Sequence, residues 1–417
     1  METAAKCYIG FRGKRNTVIK GIRGHIGAEK KMIYLDNAAT TKPNPKAVEA
    51  MLPYLYDAYG NPSAVYSLGA GARKALNRAR RTIAESLNAG PEEIFFTSGG
   101  TESDNWAFQI ALKRMEKKGR HIITTKIEHH GILHTCKAWE RQGYEVTYLD
   151  VDGEGFVSPE SVEAAIRPDT VLVSIMFANN EVGTIEPIAE IGKLTREKGI
   201  LFHTDAVQAY GHLPIDVEAL GIDLLSASGH KFNGPKGVGF LYVRASVKPV
   251  TMLQGGAQES GYRGGTENVP GIVGMGKAAE LAMVTMEERR EKETMLRDYL
   301  IRRMLAEVES CRLSGPRDNR LPGHASFVIP GIEGESLLIL LDMKGICASS
   351  GSACTTGAPE PSHVLTAMGK SEAEAKGSLR LTLCAENTME EMDTVVAAVK
   401  EIVQRLRSMT GMYRSRD

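Results

Sequence analysis

The sequence predicts an α/β protein with a mainly parallel sheet between helices and a second, smaller α+β domain. From Ile33 onward, apolar runs of strand length alternate with amphipathic stretches of helix length. The apolar runs are continuous, which is typical of strands buried on both faces of a parallel sheet. The chain has 417 residues, and a single core stops growing at roughly 250–300 residues. Two domains are therefore expected.

Six apolar runs in the first part of the chain are predicted strands. They are residues 93–97, 121–125, 171–177, 200–204, 222–226 and 237–243. Polar or glycine-rich segments follow them, at the sheet edge where open α/β proteins bind ligands. After about residue 280 the pattern changes to a charged helix, 286–309, two short strands, 324–329 and 379–383, and a final helix, 389–409. We assign 47–285 to the large domain and 32–46 with 286–417 to the small one.

Composition and charge exclude several classes of protein. Lys plus Arg and Asp plus Glu both number 51, so the formal net charge is zero. This balance argues against a main body built to bind nucleic acid or anionic membranes. The six cysteines are sparse and form no C-x-x-C pair, which predicts neither a disulfide framework nor a metal site and favours a reduced, cytoplasmic location. No apolar run approaches the length of a membrane span.

The first 31 residues differ in character from the rest. They contain eight basic residues and two acidic ones, with neither strand nor helix periodicity. An organelle transit peptide and a basic arm for nucleic acid are two interpretations. A disordered basic extension is the third, and we favour it because such a composition cannot bury a core.

Three segments carry the chemistry. The glycine turn at 98–102 leads from a strand into a helix and could bind a phosphate, although a capped turn explains it equally well. Asp205 ends a buried strand, where an acid serves either a ligand or a helix cap. Lys231 leaves an apolar strand for a Gly/Pro loop and could form a Schiff base, or could be a surface lysine. Together, in this order, they are the parts that a pyridoxal 5′-phosphate enzyme needs.

Ordered motifs extend this interpretation to a family. The chain from Tyr34 to about Met409 resembles cysteine desulfurases of the NifS/IscS kind, in the aminotransferase class V group. The motifs are SGGTES at 98–103, EHH at 128–130, NNE at 179–181, TDAVQ at 204–208, SGHK at 228–231, RGGTEN at 263–268 and SSGSACTTG at 349–357. The resemblance implies the fold-type I architecture of pyridoxal-phosphate transferases, with the cofactor bound by the large domain.

The resemblance also implies roles in binding the cofactor. Lys231 would hold pyridoxal 5′-phosphate covalently and later move protons at the substrate. Asp205 would pair with the ring nitrogen, Gln208 would bond the phenolic oxygen, and His129 would stack on the ring. The residues implied to bind the phosphate are Gly100, Thr101, Ser228 and His230.

Further implied roles concern the substrate and a second subunit. Thr266 would reach the phosphate of the partner subunit, which predicts a homodimer. Asn180 would contact the cofactor or the substrate carboxylate. Arg380 would bind that carboxylate through its guanidinium group.

Cys354 is the predicted sulfur-accepting residue. It lies in a small, polar segment rich in Gly, Ser and Ala, which is typical of a loop. The resemblance implies that it attacks the sulfur of L-cysteine, becomes a persulfide, and passes sulfur to an acceptor after alanine is released. An iron–sulfur scaffold, a tRNA-thiolation protein and nitrogenase maturation are all compatible acceptors. Cys347 is interpreted as a packed residue, and Cys384 as a thiol that packs near the carboxylate site.

The sequence alone leaves other functions open. A selenocysteine lyase shares nearly all the motifs, and a simple aminotransferase of the same fold would not need Cys354. A non-catalytic scaffold or nucleic-acid-binding regulator could use the basic arm. The combination of Lys231, Asp205, His129 and Cys354 favours the desulfurase.

Overall fold

A seven-stranded sheet dominates the computed structural model, which describes residues 32–351 and 361–410. The order of its strands is β2-β8-β7-β6-β5-β3-β4. These strands are β2 (Ile94–Thr97), β3 (His121–Thr125), β4 (Glu145–Leu149), β5 (Thr170–Ser174), β6 (Leu201–Asp205), β7 (Leu224–Ser228) and β8 (Gly239–Val243). Strand β8 is antiparallel to β2 and β7, and the other pairs are parallel. The predictions for residues 1–31 and for Cys354 lie outside the described residues.

The predicted strands of this sheet are confirmed, with shifts of a few residues at some ends. The run at 121–125 matches β3, and all five of its residues are buried. The run at 171–177 continues beyond β5, where Phe177 N–H still donates to the Asp205 carbonyl at 2.8 Å. Strand β4 was not predicted, because it lies at the sheet edge and most of its residues are partly exposed.

Helices cover both faces of the sheet, because successive side chains of a strand point to opposite sides. Phe96 and Ile123 pack in one core, with helices that include Leu76. Phe95 packs in the other core, with Trp106. The helices before residue 285 are α1 (Pro45–Tyr56), α2 (Ser67–Glu85), α3 (Gly100–Arg114), α4 (His130–Glu140), α5 (Pro159–Ala165), α6 (Ile188–Glu197) and α7 (Val269–Val284). In the described ranges, no helix has both the length and the apolar character needed to cross a membrane.

The C-terminal part of the chain forms a separate core of its own. Its three-stranded antiparallel sheet has the order β12-β10-β9, and β1 pairs in parallel with β11. The strands are β1 (Ile33–Tyr34), β9 (Arg312–Leu313), β10 (His324–Val328), β11 (Ile346–Cys347) and β12 (Ser378–Thr382), and the helices are α8 (Met286–Glu307), α9 (Gly334–Met343), α10 (His363–Ala367), α11 (Glu372–Lys376) and α12 (Met389–Thr410). Leu35, Leu300, Phe327 and Val399 pack together in this core. The predicted domain limits stay a prediction.

One short segment after β1 contacts both the C-terminal sheet and the turn that follows β7. Asp36 forms a β-bridge with Thr382, the last residue of β12, and Ala38 N–H donates to Thr382 Oγ1 at 2.9 Å. Five residues beyond Asp36, Thr41 N–H donates to the carbonyl of His230 at 2.9 Å. The segment 36–41 therefore holds the C-terminal sheet beside the turn that carries Lys231.

Candidate active site

A cavity of about 360 Å³ lies at the carboxyl ends of β6 and β7. This is the edge at which an open α/β sheet binds its ligands. The cavity brings together residues from the seven-stranded sheet and its helices, from the C-terminal sheet and from the 36–41 segment. The predicted site residues that line it are Gly100, Thr101, His129, Asn180, Asp205, Gln208, Ser228, His230, Lys231 and Arg380.

Lys231 ends a single helical turn, Gly229–Lys231, that directly follows β7. Its Nζ donates to the carbonyl oxygens of Ala38 at 2.6 Å and Ala39 at 2.9 Å. Burial, together with a smaller effect of the Arg380 charge, lowers the pKa of Lys231 to about 8, and the charge of Asp205 opposes this shift. A lower pKa increases the fraction of neutral amine, which is the form that reacts with a carbonyl group.

Asp205 supplies negative charge to the cavity. It ends β6, and its Oδ1 accepts from Val207 N–H at 2.8 Å. Burial raises its pKa, whereas the charges of His129 and Lys231 lower it. Asp104 of α3 lies behind it, and burial together with the charge of Asp205 raises the pKa of Asp104 well above its usual value. Of the two carboxyl groups, only Asp205 has positively charged neighbours that oppose the rise in its pKa, so Asp205 is the one that suits a positively charged group of a ligand at this point.

The opposite end of the cavity suits a phosphate. Helix α3 starts at Gly100 with no side-chain cap, so its first N–H groups and its dipole favour an anion. Gly100, Thr101, Ser228 and His230 also line an adjoining opening of about 410 Å³. Burial lowers the pKa of His230 to about 4, so its ring is neutral. The strands approach closely here, since a Cβ on Gly239 would lie 2.5 Å from the carbonyl oxygen of Ala227.

Arg380 approaches the cavity from the C-terminal sheet. It belongs to β12, and its guanidinium group is held between two acceptors. Nη1 donates to the carbonyl oxygen of Asn180 and Nη2 to Asp36 Oδ1, both at 2.9 Å. These contacts fix the plane of the guanidinium group, which is a prerequisite for binding a carboxylate.

His129 and Gln208 are oriented by hydrogen bonds to the backbone. His129 caps α4, and its Nδ1 accepts from Gly131 N–H at 3.0 Å. Because Nδ1 is an acceptor in this bond, Nε2 is the ring nitrogen that can donate a proton into the cavity. Gln208 Nε2 donates to the carbonyl oxygen of Ala38 at 3.0 Å, the same oxygen that accepts from Lys231.

One predicted residue is not in this cavity, and another is not described. Thr266 is exposed and lines a separate opening with Glu259 and Arg263. Within one chain the structure does not bring Thr266 to Lys231. Cys354 lies outside the described residues, which end before it at Gly351 and resume after it at residue 361.

Sequence reasoning missed several residues of the cavity. Asp104 lines it, and the available signal was an acid three residues beyond Thr101 on a helix whose other buried residues are mostly apolar. Asp36 holds Arg380, and Thr40 Oγ1 lies 3.1 Å from His230 Nδ1. Both belong to the segment that opens the resemblance, LDNAATT at 35–41.

The arrangement fits pyridoxal 5′-phosphate at three points. Lys231 is an amine of lowered pKa for the aldehyde, and the buried carboxyl of Asp205 suits the ring nitrogen. The uncapped start of α3 suits the phosphate. The donor and acceptor groups present therefore match the cofactor that the sequence predicts.

Comparisons with known proteins give the same result. The sequence profile of the aminotransferase class-V family matches residues 33–395. The chain is 54% identical over 388 residues to the cysteine desulfurase IscS of Methanosarcina thermophila, covering 93% of this chain and 96% of that protein. A NifS-like protein structure superposes with a TM-score of 0.85 at 39% identity, covering 90% of this chain and 100% of the other. A structure of SspA in complex with cysteine gives 0.74 at 40% identity, covering 84% and 98%. The chain belongs to the aminotransferase class-V family, and within it to the cysteine desulfurases.

Proposed function

We propose that Cys354 takes the sulfur atom of L-cysteine in this protein, which is a pyridoxal-phosphate-dependent cysteine desulfurase. The observation that carries the proposal is the convergence of Lys231, Asp205 and Arg380 on one cavity. In this cavity an amine, a carboxylate and a guanidinium group from distant parts of the chain face the same space. An amino acid is the substrate class that this set fits, because the guanidinium group binds its carboxylate.

The residues divide the work of the reaction. When bound, pyridoxal 5′-phosphate supplies an electron sink that stabilises negative charge at the substrate Cα. Lys231 holds the cofactor and, once released from it, moves a proton at Cα. Arg380 orients the substrate through its carboxylate, beside Asn180. His129 has a proton on Nε2 and can donate it near the substrate sulfur.

The sulfur step needs a thiolate. Cys354 Sγ forms a bond to the substrate sulfur, the substrate Cβ–S bond breaks, and its electron pair passes to the carbon, which is then protonated to give alanine. Burial raises the pKa of the described cysteines and so disfavours their thiolates. Those cysteines are Cys136, Cys311, Cys347 and Cys384. Their environments support assigning the step to a cysteine other than these four.

The test replaces Cys354 by serine. The variant should keep the visible absorption of the cofactor and its change on adding L-cysteine, yet release almost no sulfide or alanine. Alkylation and mass spectrometry should find a persulfide on Cys354 of the native protein. Cys347→Ser and Cys384→Ser are the matched controls and should keep most of their activity. Native sulfide release by Cys354→Ser, or a persulfide on Cys384, contradicts the proposal.

A homodimer is part of the proposal. Thr266 is exposed and lies outside its own chain's cavity, which supports a role in the site of a partner subunit. Large apolar side chains are also exposed from the last residues of α1 to the residue before α2, and exposed apolar patches are typical of interfaces. These side chains are Leu55, Tyr56, Tyr59, Val65 and Tyr66.

The sulfur acceptor and the location complete the proposal. An iron–sulfur scaffold protein is the acceptor we propose, by similarity to relatives that carry the name IscS. A cytoplasmic location is suggested by sparse cysteines, four of which are free in the described residues. Crosslinking of the persulfide form in cell extract, followed by mass spectrometry, tests the acceptor. A tRNA-thiolation protein as the main product would replace this assignment.

A further inference from the structure

The two ends of the segment that carries Cys354 lie in contact. A Cβ placed on Gly351 would be 3.0 Å from Ser362 Cβ and 3.2 Å from Ser362 Oγ. Gly351 N–H donates to Ser378 Oγ at 3.2 Å. Two residues earlier, Ser349 pairs with Arg380 through hydrogen bonds of 2.7 and 3.1 Å. The first end is thus attached to β12, and the second end touches it.

Glu181 joins these two ends. Ser362 Oγ donates to Glu181 Oε2, and a Cβ on Gly351 would collide with the same oxygen. The carboxylate therefore lies against one end and is hydrogen-bonded to the other. Glu181 is 8% exposed and Ser362 is 2% exposed, so water does not compete strongly for this contact. Ser362 Oγ also accepts from Leu365 N–H at 3.1 Å, which caps α10.

Glu181 is itself fixed relative to the cavity. Asn179 Oδ1 accepts from Glu181 N–H at 2.8 Å and so holds the turn. The neighbouring residue, Asn180, lines the cavity and its carbonyl oxygen accepts from Arg380 Nη1. One turn of three residues therefore connects the carboxylate-binding arginine to both ends of the segment.

We propose that Glu181 is a positioning residue for sulfur transfer. It holds both ends of the segment bearing Cys354 at a fixed position relative to Arg380. The proposal rests on the proposed role of Cys354. Cys354 is three residues from Gly351, so their Cα atoms lie at most roughly 11 Å apart whatever the path between them. The position of Gly351 therefore limits where the thiolate can act, and a shift of about 1 Å can cost a hundredfold in rate.

The experiment compares Glu181→Ala and Ser362→Ala with conservative variants. Both alanine variants should form persulfide on Cys354 about tenfold to a hundredfold more slowly in a single turnover. The concentration of L-cysteine that half-saturates the spectral change should move by less than about twofold, because Arg380 and Lys231 are unchanged. Glu181→Gln and Ser362→Thr keep the acceptor and the hydroxyl, and should restore most of the rate.

Two controls separate positioning from a general loss of structure. Ser371→Ala removes the cap of α11, where Ser371 Oγ accepts from Glu374 N–H at 3.3 Å, and should leave persulfide formation unchanged within about twofold. A readout independent of activity is cleavage by proteinase K within 352–360, which should accelerate in Glu181→Ala and Ser362→Ala but not in Ser371→Ala. If Glu181→Ala fails to fold, Ser362→Ala carries the same test.

The outcomes distinguish this inference from the proposed function. If Cys354→Ser is inactive while Glu181→Ala and Ser362→Ala form persulfide at the native rate, the role of Glu181 is refuted and the function stands. If Ser371→Ala loses as much as Ser362→Ala, the loss of a helix cap explains the effect and the inference is wrong. If Cys354→Ser keeps native sulfide release, the proposed function fails and the inference fails with it.

Discussion

Replacing Glu259 by alanine should destabilise the protein strongly, because Glu259 is one half of a buried ion pair. Its carboxylate accepts from Arg80 Nη1 at 2.8 Å, from Arg80 Nη2 at 2.7 Å and from Phe96 N–H at 2.9 Å. The side chains of Arg80 and Glu259 are 18% and 3% exposed. Glu259 lies seven residues before Thr266 and lines the same opening, so the pair anchors the loop that we assign to the partner's site.

The magnitude follows from what remains after the change. The Arg80 guanidinium carbon stays 4.4 Å from the centroid of the Phe96 ring, and the group also donates to the Ile94 carbonyl oxygen, so the charge stays buried without its carboxylate. Removing one partner of a buried pair costs about 3–5 kcal/mol in the free energy of unfolding. Glu259→Gln keeps an acceptor oxygen and loses only the charge, so its cost should be about 1–3 kcal/mol.

Urea unfolding with every variant saturated with pyridoxal 5′-phosphate, at one protein concentration, measures these differences. The double variant Arg80→Met with Glu259→Met tests the coupling. Replacing both partners by apolar side chains leaves no unpaired charge. The double variant should therefore lose less free energy of unfolding than Arg80→Met and Glu259→Met lose together, by about 2 kcal/mol or more. A loss below about 1 kcal/mol for Glu259→Ala, or strict additivity in the double variant, refutes the reasoning.

Further changes should separate cofactor binding, substrate binding and assembly. The pKa of Lys231 is lowered from 10.5 to about 8, so the rate at which pyridoxal 5′-phosphate binds to stripped protein, followed by visible absorption, should rise with pH and level off above about pH 8. A rise that continues to about pH 10 contradicts the lowered pKa. Arg380→Lys should raise KM for L-cysteine by about tenfold or more while the visible absorption is kept, because the planar fork is lost. An unchanged KM would show that Arg380 does not bind the substrate carboxylate. Mixed Thr266→Ala and Lys231→Ala subunits should regain part of the activity that each lacks alone, and a fully active monomer by light scattering rules out the shared site. Deleting residues 1–31 should leave sulfide release within about twofold, and a large loss would show that the arm packs on the enzyme.

The parts of the site that could be predicted are those with a local signature. Lys231 and Asp205 each stand at the end of an apolar strand, and a glycine turn precedes α3, so their types and places in the chain indicate a ligand at one sheet edge. The parallel strands other than the edge strand β4 were predictable because each is buried on both faces and therefore largely apolar.

What could not be predicted depends on contacts between distant residues. The apolar run of β8 has the same composition in either direction, and only its pairing with β2 and β7 makes it antiparallel. The contact between Glu181 and Ser362 spans 181 residues, and although Glu181 belongs to the NNE motif, nothing in the sequence around either residue indicates the other. The place of Asp104 on a helix whose other buried residues are mostly apolar does not reveal that it is buried beside Asp205, since an acid on a helix is usually exposed.

The segment 36–41 has a consequence for how the protein is made. Asn37 Nδ2 donates to the Thr382 carbonyl oxygen across 345 residues, so Asn37 is synthesised well before the residue that it binds. At about 5–20 residues per second, roughly 20–70 s of synthesis separate them. The parallel sheet can assemble during that interval. Ala38, however, can be fixed by both of its backbone hydrogen bonds only after β12 exists, because its N–H donates to Thr382 Oγ1 and its carbonyl oxygen accepts from Lys231 Nζ. The cofactor cavity is thus completed only after β12 has been synthesised, and a nascent chain that ends before β12 cannot close it.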